Sequence, residues 1–339
     1  MATLNLLSSN LPTGRVFPWP RTPAMSTTWS WGLSENKESI MKVSYNEATA
    51  MHCSTLAEDL ILCEEAGFDY IEIRGDMLLD YLCEHSVKEL IDFFKNSRLR
   101  PHAMNALYTY RDMFHPTRAD VERDRRLMAY FLACCRVAEQ IGDHYFISLP
   151  EYIDDANDIF MPHDPLTTLF PDPPEKVMDD SVRILRRLSD IAGDFGINVS
   201  WECVGGLGCA VRSAAHAWEI VQAVDRDNVG ITIDSFNLFL NGQTNDYSDI
   251  EKIPADKLYT VHVNNCDIVD NGAIDHSNRK FVNGGAIDIK GYLTAVKKTG
   301  YDGMVSIETF RDEYWKMSPR DVIFEAYRTT KELVDGISQ

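Results

Sequence analysis

A chain of 339 residues with 45% hydrophobic and 25% charged side chains can bury a large core, as one α/β domain or two ordinary ones. Its formal net charge of −19 repels nucleic-acid phosphates and anionic membranes, which excludes both as main partners. No run of about 18 apolar residues supplies a membrane span, and the eight cysteines contain no CxxC pair, the usage expected of reduced thiols in a cytoplasmic protein.

Residues 1–40 carry many Pro, Ser, Thr and Trp residues without a sustained period, and lack the basic start and long apolar centre of a signal peptide. They are read as an irregular N-terminal extension, a bland leader or an arm docking through Trp19, Trp29 and Trp31 on a neighbouring subunit. From residue 41 to 339 the pattern is regular. KVSYNEAT is the first strand, and TLAEDLILCEEAG is a helix with Thr55 as N-cap and Gly67 as its stop. DYIEIRGD is followed by a helix through VKELIDFFKNS, and RPHAMNAL by a long helix ending at Gly142. HYFISLPEY leads into a Pro-rich loop, MPHDPLTTLFPDPP, of the length that often marks a binding loop, and then a helix closing at Gly196.

Four further units follow: NVSWECVGG then AAHAWEIVQAVD, GITIDSF then a short helix near YSDIEKIP, YTVHVNN then DIKGYLTAVKKTG, and MVSIETF then SPRDVIFEAYRTTKELVDG. Short β-branched and aromatic runs alternating with helical patterns wire a parallel sheet. Eight such units predict a (β/α)8 TIM barrel whose site lies at the C-terminal ends of its strands. An open doubly wound sheet fits less well, because no Gly-rich phosphate loop follows the first strand.

Four consecutive strands end on or beside a metal-binding side chain: Glu202, Asp234, His262 and Glu308. Singly, each is an ordinary hydrogen-bonded strand end. Together, three carboxylates converging in a barrel mouth call for a cation, since burying them unpaired costs several kcal/mol. Two Glu, one Asp and one neutral His suit a divalent ion with a position left for water or substrate. Mn²⁺ is favoured, with Mg²⁺, Co²⁺ or Zn²⁺ also compatible. Further strand-end residues are candidates for the pocket lining: Asn46, Glu47, Glu72, Arg74, His102, Asn105 and Glu151, with Arg279 for a substrate oxygen or anion. Arg74 reads equally as a structural partner of Glu47 or Glu72, and His102 equally as a satisfied core histidine.

The quartet, the segments AVDRDNVGITIDSF and GGAIDIKGYLTAVKKTGYDGMVSIE, and the eight-unit layout together resemble the xylose-isomerase-like TIM-barrel superfamily, over roughly Met41 to the C-terminus. The nearest group is that of sugar isomerases and epimerases, which includes ketose 3-epimerases and inosose isomerases and dehydratases. The resemblance implies one divalent ion held by Glu202, Asp234, His262 and Glu308, a metal-stabilised enediolate made from a keto-sugar or cyclitol, and proton transfers by Glu202 and Glu308. Isomerisation or epimerisation is the expected outcome. The alternative is a lyase of the same group, an inosose dehydratase or a C-glycoside deglycosidase subunit acting on 3-keto-glycosides by β-elimination. The fold's DNA-repair endonucleases are disfavoured by the charge and by the lack of a second His-rich cluster. Many relatives have His three residues after the metal Asp; here the position is Asn237, which can donate a hydrogen bond but cannot carry charge. With Glu47, His102, Asn105 and Arg279, it completes the expected substrate contacts. The partner is then a small carbohydrate or cyclitol and the assembly a homo-oligomer, or a hetero-oligomer if the reaction is an elimination.

Overall fold

Each strand is a short apolar run stopped by a turn residue, and eight of them close on themselves. The computed structural model describes residues 41–152, 168–269 and 274–337. The N-terminal extension with its three tryptophans, and part of the Pro-rich loop, lie outside the described residues. The strands are β1 (Lys42–Asn46), β2 (Tyr70–Arg74), β3 (Arg100–Tyr108), β4 (Tyr145–Leu149), β5 (Asn198–Glu202), β6 (Val229–Asp234) and β7 (Leu258–Val263). After β7 come a two-stranded hairpin, β8 (Asn265–Cys266) and β9 (Arg279–Lys280), and the last barrel strand, β10 (Met304–Ile307). The order around the closed parallel barrel is β1-β10-β7-β6-β5-β4-β3-β2. This is the expected TIM barrel.

Helices α1 (Leu56–Ala66), α2 (Gly75–Glu84), α3 (Val87–Asn96), α4 (Val121–Ile141), α5 (Pro174–Gly193), α6 (Ala214–Val224), α7 (Ser235–Leu240), α8 (Ile289–Lys298) and α9 (Pro319–Ile337) connect the strands and close the chain. Their ends follow local chemistry. Thr55 caps α1 by accepting from the Glu58 N–H, and Gly67 ends it with a φ of +115°, open to glycine at little cost. Ser86 and Glu89 form a reciprocal capping box on α3.

Two local expectations are corrected. The first strand stops at Asn46, because the Asn46 side chain accepts from the Ala48 N–H and turns Glu47–Thr49 into a 3-10 turn. The short helix near YSDIEKIP is only a 3-10 turn over Ile250–Lys252. The α-helix of that unit is instead α7, begun by Asp234 itself, whose side chain accepts from the Asn237 N–H.

Alternation along the strands divides apolar from polar. Val199, Trp201, Ile231, Ile233, Val261, Val263, Val305 and Ile307 are buried in the apolar core. On the alternate positions Ser200, Thr232, Thr260 and Ser306 form a small polar tier, each two residues before one of the four expected ligands. Barrel interiors are more often filled by branched apolar residues. All eight cysteines are free, and no helix among the described residues is long and apolar enough to cross a membrane.

Candidate active site

Parallel register brings the strand ends together: Asp234 pairs with His262, and His262 lies level with Ser306, two residues before Glu308. The His262 Nδ1 atom lies 3.6 Å from Glu202 Oε1 and 3.5 Å from Glu308 Oε2. Ligand atoms of Glu202, His262 and Glu308 all fall within 4.8 Å of one another. Asp234 stands beside this triad with both oxygens engaged. Oδ1 accepts from the Asn237 N–H at 2.7 Å; Oδ2 accepts from Asn264 Nδ2 at 2.7 Å and faces Arg279 Nη1 at 3.3 Å.

The electrostatics are those of an anionic site. Burial is the largest influence on Glu308 and pushes its carboxyl up to about 7, with His262 and Arg279 pulling down and Glu202 and Asp234 pushing further up. Burial alone would lower His262, but Glu72, Glu308 and Glu202 outweigh it and hold the imidazole well above its ordinary value. Glu72 falls below the usual carboxylate range, because the charge and hydrogen bond of His262 overcome burial.

Does a cation fit? His262 Nδ1 is buried without a hydrogen-bond partner, and the two carboxylates nearest to it leave it acceptors, not donors. An unpartnered ring nitrogen between two carboxylates is the donor set of a divalent ion. The residues therefore fit the group, with Glu202, His262 and Glu308 around the space and Asp234 at its edge.

A cleft of about 300 Å³ opens over this triad, lined in its inner part by Asn105, Glu202, Asn237, Arg279 and Glu308 and further out by Tyr108, Leu149, Phe310, Asp312, Trp315 and the turn Asp275–Ser277. Asn105 donates to Glu308 Oε1 at 3.3 Å and Asn237 to Glu202 Oε1 at 2.9 Å. Arg279, only 1% exposed, donates to Glu308 Oε2 at 2.9 Å and to Asn237 Oδ1 at 3.1 Å, while its guanidinium stacks between Phe236 and Phe310.

Other candidates stand elsewhere. Glu47 is buried behind β1 with Oε2 on the Arg74 N–H at 2.7 Å, and it does not line the cleft. His102 lies at the opposite mouth, where Nε2 meets Thr260 Oγ1 at 3.0 Å and the ring packs on Tyr145. Burial lowers it to about 4, leaving it neutral. Proximity to a strand end misleads for both, because Glu47 opens the turn after β1 and His102 stands six residues before the end of its strand. Arg74 pairs with Asp76, and Glu151 with Arg111. Asn264, Phe236 and Phe310 were missed; Asn264 could have been found, since two residues beyond His262 is the same strand face.

The comparisons with known proteins agree with the fold. The profile of the xylose isomerase-like TIM barrel family matches residues 60–333. The chain belongs to that family. It is 32% identical to an inosose isomerase of Bacillus velezensis over 295 residues, covering 87% of this chain and 97% of the relative. A solved structure described as IOLI protein with a binding zinc atom has a TM-score of 0.76 and 31% identity, covering 88% of this chain and 99% of that one. A shorter match, 32% identical over 156 residues, links 45% of this chain to 22% of a 3-dehydroshikimate dehydratase of Pseudomonas putida.

Proposed function

We propose that this chain is a divalent-metal-dependent isomerase of a cyclitol ketone (an inosose) or related keto-sugar, working through an enediolate with Glu202 and Glu308 as acid and base. The observation that carries this reading is the unpartnered His262 Nδ1, flanked by the two glutamates. The likeness to inosose isomerases over nearly their whole length supports the substrate class, and the zinc-containing relative supports a divalent ion.

Glu202, Asp234, His262 and Glu308 would hold the ion, which when bound supplies Lewis-acid polarisation of the substrate carbonyl. The protein's own residues do the rest. Arg279 and Asn237 offer N–H donors to substrate oxygens at the inner cleft. One of the two glutamates takes the proton from the carbon next to the carbonyl, and the other returns a proton. Return at the neighbouring carbon is isomerisation; return at the same carbon is epimerisation. A second reading, expulsion of a β-hydroxyl from the same intermediate, draws on the dehydratase match.

The test is proton exchange in D₂O, followed by NMR, with Mn²⁺ or Zn²⁺ and a panel of inososes, ketohexoses and 3-keto-glycosides. Deuterium entering a carbon next to the ketone, with transposition of the carbonyl, is expected, and Glu202→Gln and Glu308→Gln should each abolish it. A dehydrated product would favour the second reading. No exchange with any ketone by metal-loaded protein would refute both.

A further inference from the structure

Two of the strands that supply none of the expected ligands, β1 and β2, send side chains to the ones that do. Glu72, fully buried at the third of five residues of β2, places Oε2 at 3.0 Å and Oε1 at 3.2 Å from His262 Nε2. Asn46, its register partner on β1, donates Nδ2 to Glu72 Oε2 at 3.2 Å and to Glu308 Oε1 at 3.0 Å. The orientation of that amide is fixed, because Asn46 Oδ1 already accepts from the Ala48 N–H at 2.9 Å.

We infer that Glu72 is the positioning residue that decides which nitrogen of His262 is offered to a cation, and that Asn46 couples it to Glu308. Together they set the metal affinity of the site without touching the ion. The inference rests on the metal reading proposed above.

The physical chain is short. With a cation in place of a proton on Nδ1 the imidazole is neutral and carries one N–H, and an ionised carboxylate can only accept, so Glu72 obliges that proton to sit on Nε2. The lone pair is then on Nδ1, the atom facing Glu202 and Glu308. A carboxylate on the far nitrogen also makes the imidazole a stronger donor, and losing such a partner typically costs 10- to 100-fold in metal affinity. A mere structural ion pair would not require the opposite ring nitrogen to be left without a hydrogen-bond partner, yet Nδ1 has none. Nor would it require one amide to bridge Glu72 and Glu308.

The experiment compares wild type with Glu72→Gln, Glu72→Leu and Asn46→Leu by titrating Zn²⁺ against a chelating dye. Cd²⁺-loaded protein with ¹⁵N-labelled histidine gives a second, activity-free readout. Glu72→Gln keeps an acceptor but loses the charge and should bind about 10-fold more weakly; Glu72→Leu loses both and should approach about 100-fold. Asn46→Leu should fall between wild type and Glu72→Leu. In wild type the cadmium coupling should appear on His262 Nδ1, with the proton on Nε2. If Glu72→Leu does not fold, the isosteric Glu72→Gln and the wild-type coupling carry the test. Wild-type affinity in the Glu72 variants, or coupling on Nε2, would overturn the inference while leaving the metal-dependent isomerase intact. A wild-type protein that binds neither Zn²⁺ nor Cd²⁺ would end both.

Discussion

Arg279→Met is the perturbation that most directly tests the electrostatics of the site. The guanidinium is 1% exposed and its Nη1 lies 3.3 Å from Asp234 Oδ2 and 2.9 Å from Glu308 Oε2. Methionine is flexible enough to fill the slot between Phe236 and Phe310, so the change removes charge more than packing. Removing one partner from a buried pair costs about 3–5 kcal/mol, because the other charge is left uncompensated. At about 2.1 cal/mol/K of unfolding entropy per residue over roughly 300 folded residues, that corresponds to a fall in Tm of roughly 5–8 °C.

The metal-free protein should show this full loss. Saturating Zn²⁺ or Mn²⁺ should recover more than half of it, because a cation supplies the charge that Asp234 and Glu308 have lost. The ion should also bind the variant at least as tightly as wild type, since a competing positive charge has gone. Thermal melts in chelator and in saturating metal give both numbers, with Arg279→Lys as the control that keeps the charge but loses the planar fork. An equal loss with and without metal would show that packing between the two rings, rather than charge, is what Arg279 contributes. No loss at all would refute the buried-pair argument.

Three other predictions follow from single observations. Burial raises the Asp143 carboxyl from 3.8 to about 7; a raised carboxyl contributes fully below its unfolded pKa and loses that contribution as pH climbs through its folded one. Wild type should therefore lose up to about 4 kcal/mol between pH 4 and pH 8 from this group, and Asp143→Asn, which keeps the acceptor for the Tyr145 N–H, should flatten that slope in urea melts. At Gly205 an added Cβ would stand 2.1 Å from the Asn237 carbonyl oxygen and 2.6 Å from the Asn241 nitrogen. Gly205→Ala should cost about 1–3 kcal/mol and lower activity by moving Asn237, checked by denaturation and kinetics together. His102→Gln should leave kcat/KM at the wild-type value and cost about 1 kcal/mol for its bond to Thr260, and a raised KM would place His102 back among the substrate contacts.

The barrel was legible because its signal is repeated: strand, turn and helix recur eight times, and one misplaced boundary does not alter the count. Glu202, His262 and Glu308 were legible for a related reason, since a parallel barrel brings strand ends together whatever the loops do. Adjacency to a strand end was a weaker guide. It read Glu47 into the cleft, whereas Asn46 turns the chain before Glu47 and sends that carboxylate behind β1. It read Glu72 as pocket lining, whereas the pleat aims it at the back of His262. Which ring nitrogen a carboxylate meets is set by contacts between strands far apart in the chain, and no spacing within one strand encodes it.

The same limit applies to the asparagines. Asn46 and Asn105 donate to Glu308, Asn237 to Glu202, and Asn264 to Asp234. Each amide fixes a carboxylate by one N–H while adding no charge, so orientation is obtained without neutralising the site. A lysine at any of these positions would orient as well but would cancel the negative field that a divalent ion needs. An imidazole at position 237 could do either, depending on pH. Asn237 makes that choice independent of pH, and because its Oδ1 also accepts from Arg279, one neutral side chain ties Glu202 to the site's buried arginine. Asn237→Asp would place a second negative charge against Glu202 Oε1 while keeping the acceptor for Arg279. It should tighten metal binding and slow proton exchange at once, a pairing that loss of a simple packing contact would not produce.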